Sequence, residues 1–376
     1  MTTEVEQRAI LKYKIEADNN DHELQTFCWQ QNNGHILSVA DEYYGDFPHW
    51  QQFLSVWPYP SGITKPPMKT KILIDESSRG TTHFKAMVCN RDTNTVVLGG
   101  ETEPIMDDNW TLEIEHFSGF VVTVPLETGR VKERKKCPGR VKHLESMNHF
   151  GAVIGITDEM VFTSDFRAKD ILPNVLLETT FFSSLSLNHS SGYHFVVTDD
   201  EAMIFDLRNV KEPITSYDCD REDDEDLERV HVDHVNWSPN GKYIYTTVHN
   251  PYDMNKRQFF WDVDQSTKIY VNVENLNDGL VTDSNWIGDH IVIKATHGSL
   301  FSTSPMSPMK LERIDFIPEM EESIENEGYT YEESPETFGI KKIEYNTETM
   351  QLAGLTREKI FIWSHDKCQP QTTSNN

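Results

Sequence analysis

Residues 232–264 read VDHVNWSPNGKYIYTTVHNPYDMNKRQFFWDVD, and this stretch decides the fold. An apolar strand that ends at Trp237 is followed by the turn Ser238-Pro239-Asn240-Gly241, a second apolar strand, and a third strand that closes on Trp261-Asp262. Proline presets the backbone angle φ, and Asn-Gly tolerates the positive φ values that a tight reversal needs. The stretch therefore predicts consecutive antiparallel strands joined by a tight turn.

Weaker copies of this unit recur along the chain at a spacing of roughly 40 to 60 residues, which is the period of a propeller with four strands in each blade. The candidate strands of the other six units are residues 24–29, 35–40 and 52–57; 82–89, 95–100, 112–117 and 120–124; 143–147, 151–157 and 160–164; 184–188, 193–198 and 202–206; 283–286, 290–295 and 300–303; and 340–345, 350–355 and 359–363. Seven units result, although their uneven spacing leaves six or eight open.

The quoted stretch resembles the WD40 repeat, in which an apolar strand, a Ser-Pro-Asp-Gly-like turn and a second strand precede a third strand that closes on Trp-Asp. The resemblance implies an all-β fold, a single seven-bladed β-propeller over residues 1–367. Trp-Asp is changed to Phe205-Asp206 in the fourth unit and to Trp363-Ser364 in the seventh, so the chain resembles a divergent member of the WD40 superfamily.

The resemblance also implies structural roles for several residues of the quoted stretch. In many WD40 blades, a histidine before the first strand joins a Ser/Thr, an Asp and the Trp in a hydrogen-bond network that locks the blade. The residues to which the resemblance gives a structural role are Asp233, His234, Trp237, Trp261 and Asp262, with His231 as the alternative to His234.

The two ends of the chain are expected to differ. Residues 9–15, AILKYKI, alternate like a strand, and the seventh unit lacks a fourth strand after Trp363. Because an unpaired edge would be an aggregation site, we expect the N-terminal strand to complete the last blade and close the ring. Residues 368–376 are polar and are predicted to be a disordered tail.

The composition disfavours several classes of function. With 61 Asp and Glu against 34 Lys and Arg, the net charge of −27 repels nucleic acid and favours basic protein partners. No apolar run approaches the roughly 20 residues of a membrane span, and the acidic N-terminus does not resemble a secretory signal. We therefore expect an intracellular protein of the cytoplasm or nucleus, without a membrane segment.

The sequence predicts no catalytic, cofactor or metal site and no small-molecule substrate. Phosphate-binding glycine loops, His-Glu-x-x-His and Gly-x-Ser-x-Gly are absent. The five cysteines are scattered and form no Cys-x-x-Cys, which predicts reduced thiols rather than metal ligands.

Two acidic insertions interrupt the repeats, at residues 218–228 (DCDREDDEDLE) and 319–336. Such runs are either solvated linkers or sites that capture basic segments electrostatically. The candidate partner-binding residues in the first insertion are Asp220, Glu222, Asp223, Asp224, Glu225 and Asp226.

An aromatic and proline-rich insertion spans residues 45–67. Its Trp50 and Trp57 are candidates for a binding surface, although strand core is the competing interpretation.

A basic stretch, residues 130–142 (RVKERKKCPGRVK), lies at a predicted blade connection. Its candidate contact residues are Lys132, Arg134, Lys135 and Lys136. We consider a localisation signal, a weak local RNA contact, and an exposed charged loop without function.

The segment Phe205-Asp206-Leu207-Arg208 resembles the Trp-Asp-x-Arg box by which some WD40 proteins dock on the adaptor of the cullin-4 ubiquitin ligase. The resemblance implies partner contacts for Asp206 and Arg208, and a purely structural Asp-Arg pair is the alternative.

Together these features predict a non-catalytic scaffold or adaptor of an intracellular multiprotein complex, with several protein partners of which at least one is basic. The two alternatives are a substrate receptor of a cullin-4-type ligase and a non-catalytic subunit of an RNA- or protein-modifying enzyme.

Overall fold

In the computed structural model of the protein, the described residues form seven four-stranded antiparallel sheets. The residues that the structure describes are 10–16, 22–30, 34–44, 49–57, 68–71, 82–90, 94–102, 118–147, 151–165, 173–178, 182–218, 231–249, 257–271, 281–296, 299–316, 339–356 and 359–364. Within these ranges no helix is long and apolar enough to cross a membrane.

Each sheet is one blade, and in blades 1 to 6 the strands follow one another in the chain from the inner strand to the outer strand. Blades 1 to 3 comprise β2 (His22–Gln30), β3 (His35–Tyr44), β4 (His49–Trp57) and β5 (Met68–Lys71); β6 (Thr82–Asn90), β7 (Thr95–Thr102), β8 (Ser118–Pro125) and β9 (Glu133–Pro138); and β10 (Val141–Met147), β11 (Ala152–Thr157), β12 (Met160–Asp165) and β13 (Asn174–Glu178). Blades 4 and 5 comprise β14 (Ser184–Leu187), β15 (His194–Thr198), β16 (Glu201–Asp206) and β17 (Thr215–Asp218); and β18 (His231–Trp237), β19 (Tyr243–His249), β20 (Arg257–Asp262) and β21 (Thr267–Tyr270). Blades 6 and 7 comprise β22 (Asp283–Ile287), β23 (Ile291–Ala295), β24 (Ser299–Ser304) and β25 (Ser307–Phe316); and β26 (Lys342–Asn346), β27 (Gln351–Leu355), β28 (Lys359–Ser364) and β1 (Ile10–Glu16).

The last blade takes strands from both ends of the chain. The N-terminal strand β1 runs antiparallel to β28, with Ile15 opposite Ile360 and Ile10 opposite Ser364. The outer strand of blade 7 is therefore the first strand of the sequence.

The core lies between the blades. Seven clusters of buried apolar side chains fill the described interfaces, one for each pair of neighbouring blades. One of them joins Phe27 and Trp29 of blade 1 to Leu355 and Ile362 of blade 7. Each buried side chain of this size contributes roughly 1.5–3 kcal/mol, so every blade is held by both of its neighbours.

The turn Ser238-Pro239-Asn240-Gly241 of blade 5 is stabilised by several hydrogen bonds. Ser238 N donates to Tyr243 O (2.8 Å), Tyr243 N donates to Ser238 Oγ (2.8 Å), and Trp237 Nε1 donates to Gly241 O (3.0 Å). Gly241 has φ +76°, and a Cβ there would lie 2.8 Å from the Asn188 side chain of blade 4. A glycine is therefore required both by the backbone and by the neighbouring blade.

The antiparallel order defines two faces of the ring. We call the face at which the inner strands begin the upper face, and the opposite face the lower face. The strand ends that flank connections between blades, and those between second and third strands, lie on the upper face. The strand ends that flank turns between first and second strands, and those between third and fourth strands, lie on the lower face.

The described strands confirm seven blades and correct two details. Sequence reasoning missed the outer strands β5, β9, β13, β17, β21 and β25. The interpretation of residues 130–142 as a loop was wrong, because Glu133–Pro138 form β9, which pairs with β8. The predicted strand 112–117 and the predicted tail 368–376 lie outside the described residues.

Candidate interaction surfaces and the central channel

A cavity of about 460 Å³ lies on the axis of the ring and is lined by residues of the inner strands of all seven blades. These strands have one edge paired within their own blade and the other edge turned toward the axis. Backbone groups on such an edge need partners. The polar side chains of the channel wall supply many of them.

On one side of the channel, side chains of one blade accept hydrogen bonds from the backbone of the next. Glu145 Oε2 of blade 3 accepts from Leu187 N of blade 4 (2.9 Å). Ser186 Oγ of blade 4 accepts from Trp237 N of blade 5 (3.1 Å), and Ser184 Oγ accepts from Val235 N (3.2 Å). We call these contacts the inter-blade latches.

The inter-blade latches continue around the ring. Asp283 Oδ2 of blade 6 accepts from Ile343 N of blade 7 (2.8 Å). Glu344 Oε1 of blade 7 accepts from Trp29 N of blade 1 (3.1 Å), and Trp29 Nε1 donates back to Glu344 O (3.0 Å). Between blades 5 and 6, Asn236 Nδ2 donates to Ser284 O (2.7 Å).

The carboxylates of the channel have strongly different environments. Burial alone would raise the pKa of Glu145, but close contacts with the His143 and His189 imidazoles outweigh it and lower the pKa to about 2. The imidazole Nε2 atoms lie 3.4 Å and 3.5 Å from the Glu145 carboxylate. Burial raises the pKa of Asp283 and of Glu344, although the latter lies 3.5 Å from the Lys342 ammonium group. Since each carboxylate accepts a backbone hydrogen bond from a neighbouring blade, these groups hold the ring together.

Among the predicted structural residues of blade 5, Trp237, Trp261 and Asp262 are buried, whereas His234 lines the channel. Trp261 Nε1 donates to Thr246 Oγ1 (3.0 Å), which is the Thr–Trp part of the predicted network. Asp262 is buried and accepts a hydrogen bond from Gln265 N (3.0 Å). His234 instead lies on the channel wall, as Asp283 does.

The remaining predicted structural residues, Trp237 and Asp233, also lie in β18. Trp237 is buried in the cluster between blades 4 and 5. Asp233 lies at a β-bulge of β18, because the pairing of β18 with β19 shifts between Val232 and His234. The side chain of His231 lies outside the described residues.

Asp206 and Arg208 form a pair on the lower face. The Arg208 guanidinium donates to both carboxylate oxygens of Asp206 (Nη2 to Oδ2, 2.6 Å; Nε to Oδ1, 2.9 Å) and lies 4.8 Å from the centre of the Tyr193 ring. Hydrogen bonds from Arg208 lower the pKa of Asp206 to about 2. The Arg208 side chain remains 65% exposed, so it is held in place and still accessible.

The basic stretch 130–142 is largely part of the fold. Lys135 is 1% exposed, and its Nζ donates to Asp165 O of blade 3 (3.0 Å), so it is not the exposed contact residue that we predicted. The Arg134 guanidinium lies over the Phe120 ring at 4.9 Å. Lys142 Nζ pairs with Asp158 (2.9 Å). Alternation along β9 explains the difference, because every second side chain of a strand faces inward.

Three other cations of this stretch, Arg130, Lys132 and Lys136, are exposed. Arg140 is also largely exposed, but its Nε lies 3.2 Å from Glu101 and 3.7 Å from Asp158 across blades 2 and 3. The number of Lys and Arg residues in this stretch is therefore not evidence for a continuous basic surface that could bind RNA.

The aromatic and acidic candidates divide into described and undescribed residues. Trp57 packs against the core between blades 7 and 1, and its Nε1 donates to Ser38 Oγ (2.9 Å), as strand core would. The side chain of Trp50 lies outside the described residues. So do Asp220, Glu222, Asp223, Asp224, Glu225 and Asp226, together with residues 319–336.

The cysteines that the structure describes are buried free thiols, Cys28, Cys89 and Cys137. Burial raises the pKa of Cys89 and of Cys137 to about 12. No group of three or more His, Cys, Asp or Glu in the described ranges is placed to hold a metal ion.

Sequence reasoning missed the residues of the inter-blade latches, above all Glu145, Asp283 and Glu344. Their only signal is a polar residue at alternate positions of an inner strand, which also describes a solvent-exposed face. The blade of the contact partner is not encoded near them in the sequence.

Comparison with known proteins identifies the fold and no particular relative. No family model and no curated protein matches the chain. Among solved structures, a chain of the "Crystal Structure of Mitotic Checkpoint Complex" matches with a TM-score of 0.61 and 15% sequence identity, over 97% of this chain and 94% of that chain. Since 818 chains of known structure match, the fold alone does not select a function. The chain is thus a seven-bladed β-propeller, similar in fold to that chain and consistent with the WD40-like architecture that its sequence resembles.

Proposed function

We propose that this propeller is a divergent member of the WD40 superfamily that acts inside the cell, in the cytoplasm or nucleus, as a non-catalytic scaffold for a multiprotein complex. The observation that carries the proposal is the ring of inter-blade latches. It engages the half-buried carboxylates of the channel in contacts between blades, which leaves the connections on the two faces to bind partners. Propellers and other rigid disc-like folds commonly serve in this way.

The upper face is the proposed docking face for a basic partner. The first acidic insertion joins the outer strand β17 to the inner strand β18, and the second joins β25 to β26. The described strand ends that flank both insertions therefore lie on the upper face. Two acidic segments that are both attached at this face, in a chain with a net charge of −27, would attract a Lys- or Arg-rich segment, with an affinity that falls as salt screens the charges.

Charge removal on one face at a time tests this proposal. The triple variant Asp223→Asn, Asp224→Asn, Glu225→Gln removes three charges from the first insertion. The matched control Glu127→Gln, Glu212→Gln, Asp264→Asn removes three charges from exposed lower-face turns. We expect binding of an oligo-arginine peptide, followed by fluorescence anisotropy at low salt, to weaken in the first variant and to stay near wild type in the control. Equal weakening in both would mean that net charge and not the upper face determines binding.

Affinity purification from native extract, at low and then moderate salt, tests the scaffold role itself. A set of partners that survives the salt step supports a stoichiometric complex. Absence of any co-purifying protein in both conditions would contradict the scaffold proposal.

The exposed Arg208 supports a second candidate, docking on the adaptor of a cullin-4-type ligase. Its guanidinium is oriented by Asp206 and remains accessible on the lower face. Arg208→Ala is expected to abolish adaptor binding in a pull-down, with Lys211→Ala, an exposed cation of the same turn, as control. Unchanged adaptor binding by Arg208→Ala would exclude this use of the pair.

A further inference from the structure

The hairpin between β24 and β25 on the lower face of blade 6 has an unusual sequence. Residues 302–310 read STSPMSPMK, with two Ser-Pro steps only three residues apart and a lysine three positions after the second serine. Neither the packing of the blades nor the proposed docking on the upper face accounts for this repetition.

The pairing of the two strands pushes part of the hairpin outward. Ser304 lies opposite Ser307 across the turn Pro305-Met306, whereas the next pair in the ladder is Ser302 with Glu312. Residues 308–311 therefore face a single residue of β24 and bulge out of the sheet. Pro308 explains the interruption, because proline has no N–H to donate to the ladder.

The bulge is also highly exposed. The side chains of Met306 and Met309 are 71% and 68% exposed, and Ser307 and Lys310 are exposed as well. The strand β25 is the outermost strand of its sheet and hydrogen-bonds only to β24 in the described sheets. The segment Ser307–Lys310 is thus an extended stretch of chain that another protein can bind along the strand edge facing away from β24.

The two serines of the hairpin differ in their contacts. Ser304 is half-buried, and its Oγ accepts a hydrogen bond from Met306 N (3.2 Å), which is part of the turn. Ser307 is exposed and begins the bulge. The first Ser-Pro pair, at Ser304, is therefore part of the turn. The second, at Ser307, is exposed to solvent.

We propose that Ser307 is a phosphorylation site for a proline-directed serine kinase that also reads a basic residue three positions after the serine. Such kinases bind an extended substrate segment with proline directly after the target hydroxyl, which is how Ser307-Pro308 is presented. In the reaction, Ser307 Oγ forms a bond to the γ-phosphorus of ATP as the bond to the ADP oxygen breaks. The hydroxyl proton passes to the catalytic aspartate of the kinase.

The modification would change the chemistry of the hairpin tip. A phosphate carries a charge of about −1.5 to −2 at pH 7, and here it would stand beside the exposed thioethers of Met306 and Met309. An apolar tip would become an anionic one. The lower face would thereby gain a regulated state that does not depend on the acidic upper face.

The test is phosphorylation of the folded full-length protein with ATP and a purified proline-directed kinase, with the modified residue located by fragmentation mass spectrometry. We expect one phosphate, on Ser307, which is lost in Ser307→Ala and kept in the matched control Ser304→Ala. Pro308→Ala is expected to lower kcat/KM about tenfold or more, because it removes the feature that the kinase selects. Thermal unfolding of each variant checks that the ring is intact.

Three outcomes would overturn the proposal. They are equal labelling of Ser307→Ala and wild type, modification of Ser304 in place of Ser307, and labelling of a peptide of residues 302–312 when the folded protein takes no phosphate. The last result would show that Ser307 is not accessible to the kinase in the folded hairpin.

Discussion

Lys294 is a lysine inside the core, and replacing it with methionine should stabilise the protein. Its side chain is fully buried between blades 5 and 6, where Nζ donates to Gln258 Oε1 (2.5 Å). Burial lowers its pKa from 10.5 to about 7. At 1.36 kcal/mol for each pH unit, this difference corresponds to about 5 kcal/mol against folding with a charged lysine.

The net gain of Lys294→Met should be smaller than that figure. Gln258 Oε1 loses one donor but keeps the hydrogen bond from the Tyr245 hydroxyl (2.8 Å). A flexible methionine fills the same volume with some loss of packing. We therefore expect about 1–3 kcal/mol of stabilisation at pH 7, within the range seen when buried charged groups are replaced by apolar ones.

The stabilisation by Lys294→Met should depend on pH. Between about pH 7 and 10.5 the unfolded chain keeps the lysine proton while the folded protein has lost it, so wild-type stability rises with pH in this window. The advantage of Lys294→Met should shrink over the same window. Urea unfolding followed by fluorescence, at pH 7 and pH 9.5, measures both values. The exposed residue Lys136, changed to methionine, is the control. A variant less stable than wild type at pH 7, or a gain that does not change with pH, would refute the reasoning.

Three further predictions concern the ring. Glu145→Gln should remove the part of wild-type stability that is lost as pH falls from about 4.5 to about 2, since the folded-state pKa of this carboxyl is lowered; acid titration followed by circular dichroism measures the difference. Gly241→Ala should cost about 1–3 kcal/mol in urea unfolding, because φ is positive and the new Cβ meets the Asn188 side chain; an equally stable variant would contradict the packing described here. Thr246→Val should cost about 1–3 kcal/mol, because the Trp261 indole N–H loses its acceptor in the core; unchanged thermal unfolding would show that the indole finds another acceptor.

The inner three strands of most blades could be predicted because they are buried on both sides. All six residues of β11 are buried, and such an apolar run between turn signals is visible in the sequence. The outer strands have no such signal. In β13 no residue is buried, and β9 has the sequence ERKKCP, whose charges suggest a loop until the pairing with β8 is known.

Among the candidate sites, contacts between residues close in sequence could be predicted, whereas contacts between distant residues could not. The Asp206–Arg208 pair could be predicted because both residues lie within one short motif. The latch of Glu145 to Leu187 could not, because its two ends lie 42 residues apart on different blades.

The inter-blade latches also separate stability from binding, which makes the proposals independently testable. A substitution in the channel, such as Glu145→Gln, removes the carboxylate charge that His143 and His189 contact and should change unfolding without touching the rim. Substitutions at Arg208 or Ser307 alter exposed side chains on the lower face and should change unfolding much less than substitutions in the channel do. If a channel variant that remains folded lost its partners while rim and insertion variants kept them, the binding site would have to be the channel, and its half-buried carboxylates would be ligand contacts as well as latches.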